Sequence, residues 1–302
     1  MSGNMQSLRR KIDSADDLEG VVRAMKALAA SSIGQYEKAV QSLDGYYRTL
    51  ELGLAACLRK ARRTELEVGR LQKGGAPVGV VIFGSDQGLV GQFNEIIVEF
   101  AVDTLDKLSS GKKKIWAVGD RVHGLLVDAG LTAPSLLFVP SSVSVITPLV
   151  GDILIDIEAA REHHDVEEVY LFHNRPKGGA AYEPVSNRLL PLDHEWQRKL
   201  IELPWPTKML PEVIEGPTPT FEAFIRGYLF VSLFQACAES LNSENASRLA
   251  AMQRAEKNIK NMLGQLNQEF HRVRQESIDE ELFDVVSGFE ALAGKSKTRL
   301  RT

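Results

Sequence analysis

Residues 259–273 read IKNMLGQLNQEFHRV, with the apolar positions Ile259, Leu263, Leu266, Phe270 and Val273 spaced 4-3-4-3. A stripe with a mean period of about 3.5 residues is a coiled-coil seam. A second run, Ile278, Leu282, Val285, Phe289 and Leu292, repeats the 4-3-4-3 pattern after a step of five. That step turns the stripe around the helix, and it falls on Arg274-Gln275-Glu276-Ser277.

A seam needs a partner, and the N-terminal end supplies one. Leu8, Ile12, Ala15, Leu18, Val22, Met25 and Ala29 are spaced 4-3-3-4-3-4, and Tyr36, Val40, Leu43, Tyr47, Leu50, Leu54 and Cys57 run 4-3-4-3-4-3. The join passes Ser32 and Ile33 with the small drift of a stutter. All twelve prolines lie between Pro77 and Pro219. Both flanks therefore lack the residue that breaks helix interiors.

The middle alternates strands with helices. Strands are expected at Val78–Phe83 (VGVVIF), Lys114–Val118, Leu136–Val139 and Glu168–His173 (EVYLFH), with a short edge strand at Arg188–Leu192. Helices are expected at Asn94–Leu108, Asp120–Ala129 and Val145–Glu162. Such alternation implies a mainly parallel sheet covered by helices. The fold class is α/β: a long antiparallel two-helix coiled coil formed by the N- and C-terminal helices, plus a central Rossmann-like domain. The expected boundaries are a helix over 1–62, the α/β domain over 75–203, a Pro-rich connection over 204–219, the C-terminal helix over 220–293 and a basic tail over 294–302. An N-terminal helix of about 55 residues spans roughly 80 Å and a C-terminal one of about 70 residues roughly 105 Å, so the second overhangs the first by roughly 25 Å.

Composition narrows the function. The net charge of −4 leaves no basic footprint, so nucleic acid is not expected as a partner. Cys57 and Cys237 show no metal-type spacing and read as small core residues. Arg9, Arg10 and Lys11 are followed by Asp13, Asp16 and Asp17 rather than by the apolar run of a signal peptide. Leu136–Ile155, the most apolar long stretch, contains Pro140, Pro148 and Asp152 and reads as strand, loop and helix start rather than a membrane span.

Sites of chemistry are sparse. Gly84, Gly88 and Gly91 form a glycine-rich strand-to-helix loop, but neither G-x-G-x-x-G nor G-K-[ST] follows the strand. A tight turn is expected there, capped by Ser85 or Asp86, with Asn94 capping the next helix. Gly294-Lys295-Ser296 imitates the end of a phosphate-binding motif but lacks the preceding strand. His163, His164 and Asp165 mark a helix end and His173 a strand; a solvated helix terminus explains the first three better than a metal does. No catalytic constellation, cofactor site or metal site is expected.

Two segments carry a family resemblance. SDQGLVGQFN, Ser85–Asn94, resembles the S-D-x-G-L-C-G-x-F-N signature of the gamma subunits of rotary F-type ATP synthases. SENASRLAAMQRAEKNI and LNQEFHRVRQESIDEELFDVVSGFEAL, within Ser243–Leu292, resemble that family's long C-terminal helix. RAMKALAASS, Arg23–Ser32, is similar to its K-A-M-x-x-V-A-A-S-K. The chain departs from the pattern at Val90, where the family has cysteine, and at Ser32 and Gly34, where it has basic residues. It also continues past Leu292 with Lys295, Lys297, Arg299 and Arg301, and these departures suit a divergent, alternate bacterial branch.

The resemblance implies a central-stalk rotor that couples ion flow through a membrane ring to conformational cycling of catalytic subunits. The implied partners are the catalytic and non-catalytic nucleotide-binding subunits of a hexameric ring, an epsilon-type small stalk subunit and the membrane rotor ring. The implied location is peripheral, on the cytoplasmic face of the bacterial inner membrane. Arg274 and Gln275 match the pair that reaches a catalytic-subunit loop. Phe289, Ala291 and Leu292 match the apolar tip turning in an apical bearing, and Ile214 and Glu215 lie where the foot meets the membrane ring. The competing readings are a coiled-coil scaffold, which needs no Arg-Gln pair, and a nucleotide-binding α/β enzyme, which needs a phosphate loop.

Overall fold

The computed structural model describes residues 2–60, 76–108, 111–192, 194–209 and 217–298. Its elements, in chain order, are α1 (Ser2–Lys60), β1 (Val78–Phe83), α2 (Phe93–Leu108), β2 (Lys113–Val118), α3 (Asp120–Asp128), β3 (Ser135–Leu137), α4 (Val143–Glu162), β4 (Glu168–Gly178), β5 (Ala181–Leu190), α5 (His194–Glu202) and α6 (Pro217–Thr298). The chain divides into two compact units, Leu28–Ala251 and Met1–Ala27 with Met252–Thr302.

In the Leu28–Ala251 unit the five strands run in the order β3-β2-β1-β4-β5. β1, β2, β3 and β4 are mutually parallel, and β5 pairs antiparallel with β4. Side chains alternate across a sheet. Val78, Val80 and Ile82 therefore face α2 and α3, while Val81 and Phe83 face a second core. That second core is built from α4, from Leu229–Leu241 of α6 and from Tyr36 and Ala39 of α1. The long helices thus supply part of one layer of the α/β sandwich.

Within this unit α1 and α6 run antiparallel. Tyr47 packs on Tyr228 with ring centroids 5.9 Å apart. A Cβ added at Gly227 would lie 2.9 Å from Leu50 Cδ2, and one at Gly53 would lie 2.4 Å from the Phe224 ring. Glycine at these two crossings lets the helices approach more closely than any larger residue would.

Two stretches differ from the sequence expectation. The short edge strand at Arg188–Leu192 is instead the end of a ten-residue strand, β5, in a hairpin with β4. Polar Asn174-Arg175-Pro176-Lys177 hid the extension of β4. β1 pairs only as far as Phe172, so Pro176 has no strand on that side to leave unbonded. Gly178 and Gly179, at φ 105° and 60°, turn the hairpin. In the stretch expected to be an irregular connection, α6 already begins at Pro217, and Pro217 and Pro219 fit its first turn, where no intrahelical N–H is required. At its other end α6 runs to Thr298, into the expected tail.

In the other unit the two helices form the coiled coil. Leu8 and Ala15 of α1 and Met252, Leu263 and Val273 of α6 are buried, with Ile12, Val22, Met25, Ile259, Leu266 and Phe270 half-buried beside them. The α1 seam departs from expectation at one position. Leu18 is 53% exposed, and Glu19 takes its place with a side chain 15% exposed, giving a 4-3-4-3 repeat from Leu8 to Val22. Lys26 Nζ donates to Glu256 Oε2 at 2.5 Å, and Lys260 donates to Glu256 Oε1 at 2.9 Å. The two ammonium groups hold the Glu256 carboxyl down to about 2.

Candidate functional site: a filled crevice and an open helix face

The carboxyl ends of β1 and β4 form the switch point of the sheet, where the chain leaves β1 toward one edge and later returns on its other side. In open α/β sheets ligands bind in that crevice. Here it is lined by the loop 84–92, by His173 and Asn174, and by α6.

The loop is closed by its own backbone. Ser85 N donates to Asn94 Oδ1 at 2.9 Å, and Asn94 Nδ2 donates to Ser85 Oγ at 2.8 Å. Asp86 Oδ1 accepts from Asp120 N at 3.1 Å, and its Oδ2 accepts from Val139 N at 3.0 Å. Arg121 N donates to Ser85 O at 3.0 Å. A phosphate cradle offers amides at such a loop and at a helix N-terminus. Here Ser85, Asp120 and Arg121 already spend theirs inside the protein. Asp86 therefore serves the start of α3, not α2, and Asn94 ties the loop to β1 instead of capping a helix. Gly84 is required by close packing, since an added Cβ would lie 2.4 Å from Val122 Cβ.

α6 fills what remains. Ser243 Oγ donates to Asn174 O at 2.9 Å, and Ser247 Oγ donates to Val90 O at 2.5 Å. His173 Nε2 lies 2.9 Å from Glu239 Oε2, Gln235 Nε2 donates to Glu239 Oε1 at 2.8 Å, and Arg175 Nε stands 3.5 Å from Glu239 Oε2. Burial acts to raise the Glu239 carboxyl, but His173, Gln235 and Arg175 outweigh it and hold it below its ordinary value. Burial raises Glu244, and nearby Asp86 adds to that, against the lowering effect of Arg248. Buried backbone carbonyls must find donors. Within the buried polar run Glu239–Ser247, Glu239, Ser243 and Ser247 serve the end of β4 and the loop, while Glu244 and Asn245 bond within α6.

Sequence reading quoted part of this run for its resemblance but did not find its burial or the His173–Glu239 pair. The available signal was the four-residue spacing of Glu239, Ser243 and Ser247, one face of a helix. His163, read as a solvated helix end, has its Nδ1 2.7 Å from Ala159 O on its own helix. His164 lies at φ 57°, and Asp165 stands 4.0 Å from Lys114. Among the described residues no group of three or more His, Cys, Asp or Glu is placed to hold a metal. Cys57 and Cys237 are both buried.

Arg274 and Gln275 are exposed, directly after the last buried seam residue, Val273. Beyond them Ile278, Leu282 and Val285 are also exposed, together with Phe283 and Val286. The second apolar run is therefore not a continued seam; the step of five turns it away from the seam. Phe289, Ala291 and Leu292 belong to α6 at positions whose side chains lie outside the described residues, and Ile214 and Glu215 also lie outside them. Among the described residues no helix is long and apolar enough to cross a membrane.

The chain thus comprises an α/β unit whose switch-point crevice is occupied by α6 and a second unit of two paired helices, the class of coiled-coil protein with a single α/β domain. Comparison with known proteins identifies its family. A model of the ATP synthase family matches residues 4–292, and the chain belongs to that family. The ATP synthase gamma chain of Polynucleobacter asymbioticus is 26% identical over 302 residues, covering 95% of this chain and 99% of the relative. That of Aromatoleum aromaticum is 27% identical over 292 residues, covering 95% and 99%. The rotor of the Euglena gracilis mitochondrial ATP synthase superposes with a TM-score of 0.63 at 17% identity, covering 92% of this chain and 100% of that one. The central stalk and c-ring structure of the Tetrahymena thermophila enzyme gives 0.54 at 19% identity, covering 78% and 99%.

Proposed function

We propose that this chain is the central rotor shaft of an F-type ATP synthase, coupling ion flow through a membrane ring to conformational cycling of catalytic subunits in a surrounding hexamer. The observation that carries the reading is the family match over residues 4–292. The open apolar face of α6 past Val273 supports it, since a contiguous exposed patch of this kind marks a protein interaction site.

The mechanism follows from asymmetry. Past Val273 one face of α6 carries Arg274 and Gln275 together with Ile278, Leu282 and Val285, and the opposite face carries Glu276, Glu280 and Asp284, so the helix presents different chemistry to each subunit of a surrounding ring. Only differential contact shifts a conformational equilibrium. Arg274 and Gln275 act as a catch, bonded to a catalytic-subunit loop in one angular position and released in the next. Phe289, Ala291 and Leu292 form the apical bearing, and Ile214 and Glu215 belong to the foot that meets the membrane ring with an epsilon-type subunit. The chain itself contributes no catalytic site, a reading supported by the amides of Ser85, Asp120 and Arg121 being spent inside the protein. The complex sits peripherally on the cytoplasmic face of a bacterial inner membrane.

Purification of the chain from its host tests this reading. Two homologous nucleotide-binding subunits in threefold excess should accompany it. Recovery of the chain without them, binding ATP at micromolar concentration by calorimetry, would overturn the rotor assignment.

A further inference from the structure

The crevice at the switch point raises a mechanical question that the rotor reading leaves open: how the α/β domain and α6 turn as one body. Apolar packing holds α6 in place by interdigitation of side chains. Directional bonds to fixed backbone atoms add to its resistance to sliding and twisting.

Two such contacts, and a side-chain pair in line with them, lie on one face of α6 at four-residue intervals. Glu239 is bonded to His173, Ser243 to the Asn174 carbonyl and Ser247 to the Val90 carbonyl. The receiving side is itself braced. Asn174 Nδ2 donates to Phe93 O at 2.9 Å, and Ser85 and Asp86 tie the 84–92 loop to Asn94, Asp120 and Val139. Ser243 is fully buried and Ser247 nearly so, which keeps water from replacing their bonds, while Glu239 and His173 border a cavity of about 810 Å³. The same α6 continues past this unit as the helix that carries Arg274 and Gln275.

We infer that the crevice is a torque-bearing socket, in which Glu239, Ser243 and Ser247 key α6 to the α/β domain so that load passes between them without slip. A site that binds ligand in other doubly wound domains serves here as a mechanical joint. The positioning residues are Ser243 and Ser247, which hold α6 through backbone carbonyls. Each hydroxyl–carbonyl bond removed lowers the ratio of seated to unseated joint about fivefold.

This inference rests on the rotor reading, and the experiment separates the two. The full chain carrying Ser243→Ala and Ser247→Ala is assembled into the complete complex in sealed vesicles, with the wild-type chain, the two single variants and Ser243→Thr/Ser247→Thr alongside. ATP hydrolysis and ATP-driven ion pumping are measured against a graded opposing gradient, and hydrogen exchange is followed over residues 239–248. The alanine pair should accelerate exchange there about fivefold or more and lower the ions pumped per ATP under load. Hydrolysis should stay within about twofold, and the threonine pair should recover the ratio. Each single variant keeps the other two contacts and folds, and is read in the same way. An unchanged pumping ratio, with or without faster exchange, overturns the socket. Failure of the wild-type chain to assemble or pump overturns the rotor reading instead.

Discussion

His173 Nε2 and Glu239 Oε2 lie 2.9 Å apart, joining β4 to α6 at a histidine that is 2% exposed. Because Glu239 is held below its ordinary carboxyl value, the folded state favours its ionised form. A depressed carboxyl contributes stability above its unfolded value and loses it as pH falls through the folded one. Glu239→Gln should destabilise the free chain by about 1.5–3 kcal/mol at pH 7. The gap between wild type and variant should narrow as pH falls below the ordinary glutamate value of 4.5. Urea unfolding at pH 7 and at progressively lower pH measures both, and a gap that does not change with pH would remove the ion-pair explanation.

Gly84→Ala tests the closed loop. The added Cβ would meet Val122 Cβ at 2.4 Å and Asn94 Oδ1 at 2.9 Å. Neither neighbour is the tip of a long flexible side chain, so α3 or the loop must shift. A cost of about 1–3 kcal/mol is expected, as for other overpacked sites. Thermal unfolding checks it; a variant as stable as wild type would show that the loop has slack.

The corrected seam makes opposite forecasts for two leucines of α1. Leu18 points outward, so Leu18→Gln should change stability by no more than about 0.5 kcal/mol. Leu8 is buried, and Leu8→Ala should cost about 2–5 kcal/mol. Equal losses at the two positions would restore the 4-3-3-4 seam read from sequence.

Arg274 and Gln275 changed together to alanine should leave helical content unchanged, since all three residues are good helix formers. Turnover of the assembled complex should fall roughly 10- to 100-fold if the lost arginine contact belongs to the rate-limiting state. Circular dichroism and steady-state hydrolysis are the two measurements. Normal turnover with normal assembly would sink the catch.

Leu282 and Phe283 are exposed on α6. Leu282→Ser with Phe283→Ser should shift unfolding of the free chain by no more than about 0.5 kcal/mol. Binding to the ring should weaken roughly tenfold or more if these side chains are buried there. Affinity measured by titrating chain into ring decides it, and an unchanged affinity would mean that this face stays in solvent.

The amino-acid sequence alone determined the features that repeat. The 3.5-residue stripe, the confinement of proline to 77–219 and the alternation of short apolar runs with amphipathic stretches fixed the paired helices and the α/β order, because periodicity and backbone breaking are local properties. The step of five at Arg274–Ser277 likewise marked where the stripe turns around the helix, while the exposure of Ile278, Leu282 and Val285 beyond it was found only in the structure. Tertiary structure decided what depends on residues far apart in the chain. Leu18 and Glu19 are equally compatible with a helix, and only the position of α6 chooses which one faces it. Glu239, Ser243 and Ser247 read as an ordinary polar face, and their burial follows from the carbonyls of Asn174 and Val90 arriving from 69 and 157 residues away. A buried carbonyl without a donor costs more than a buried serine that supplies one, so the crevice, not local propensity, explains why this stretch of α6 is polar.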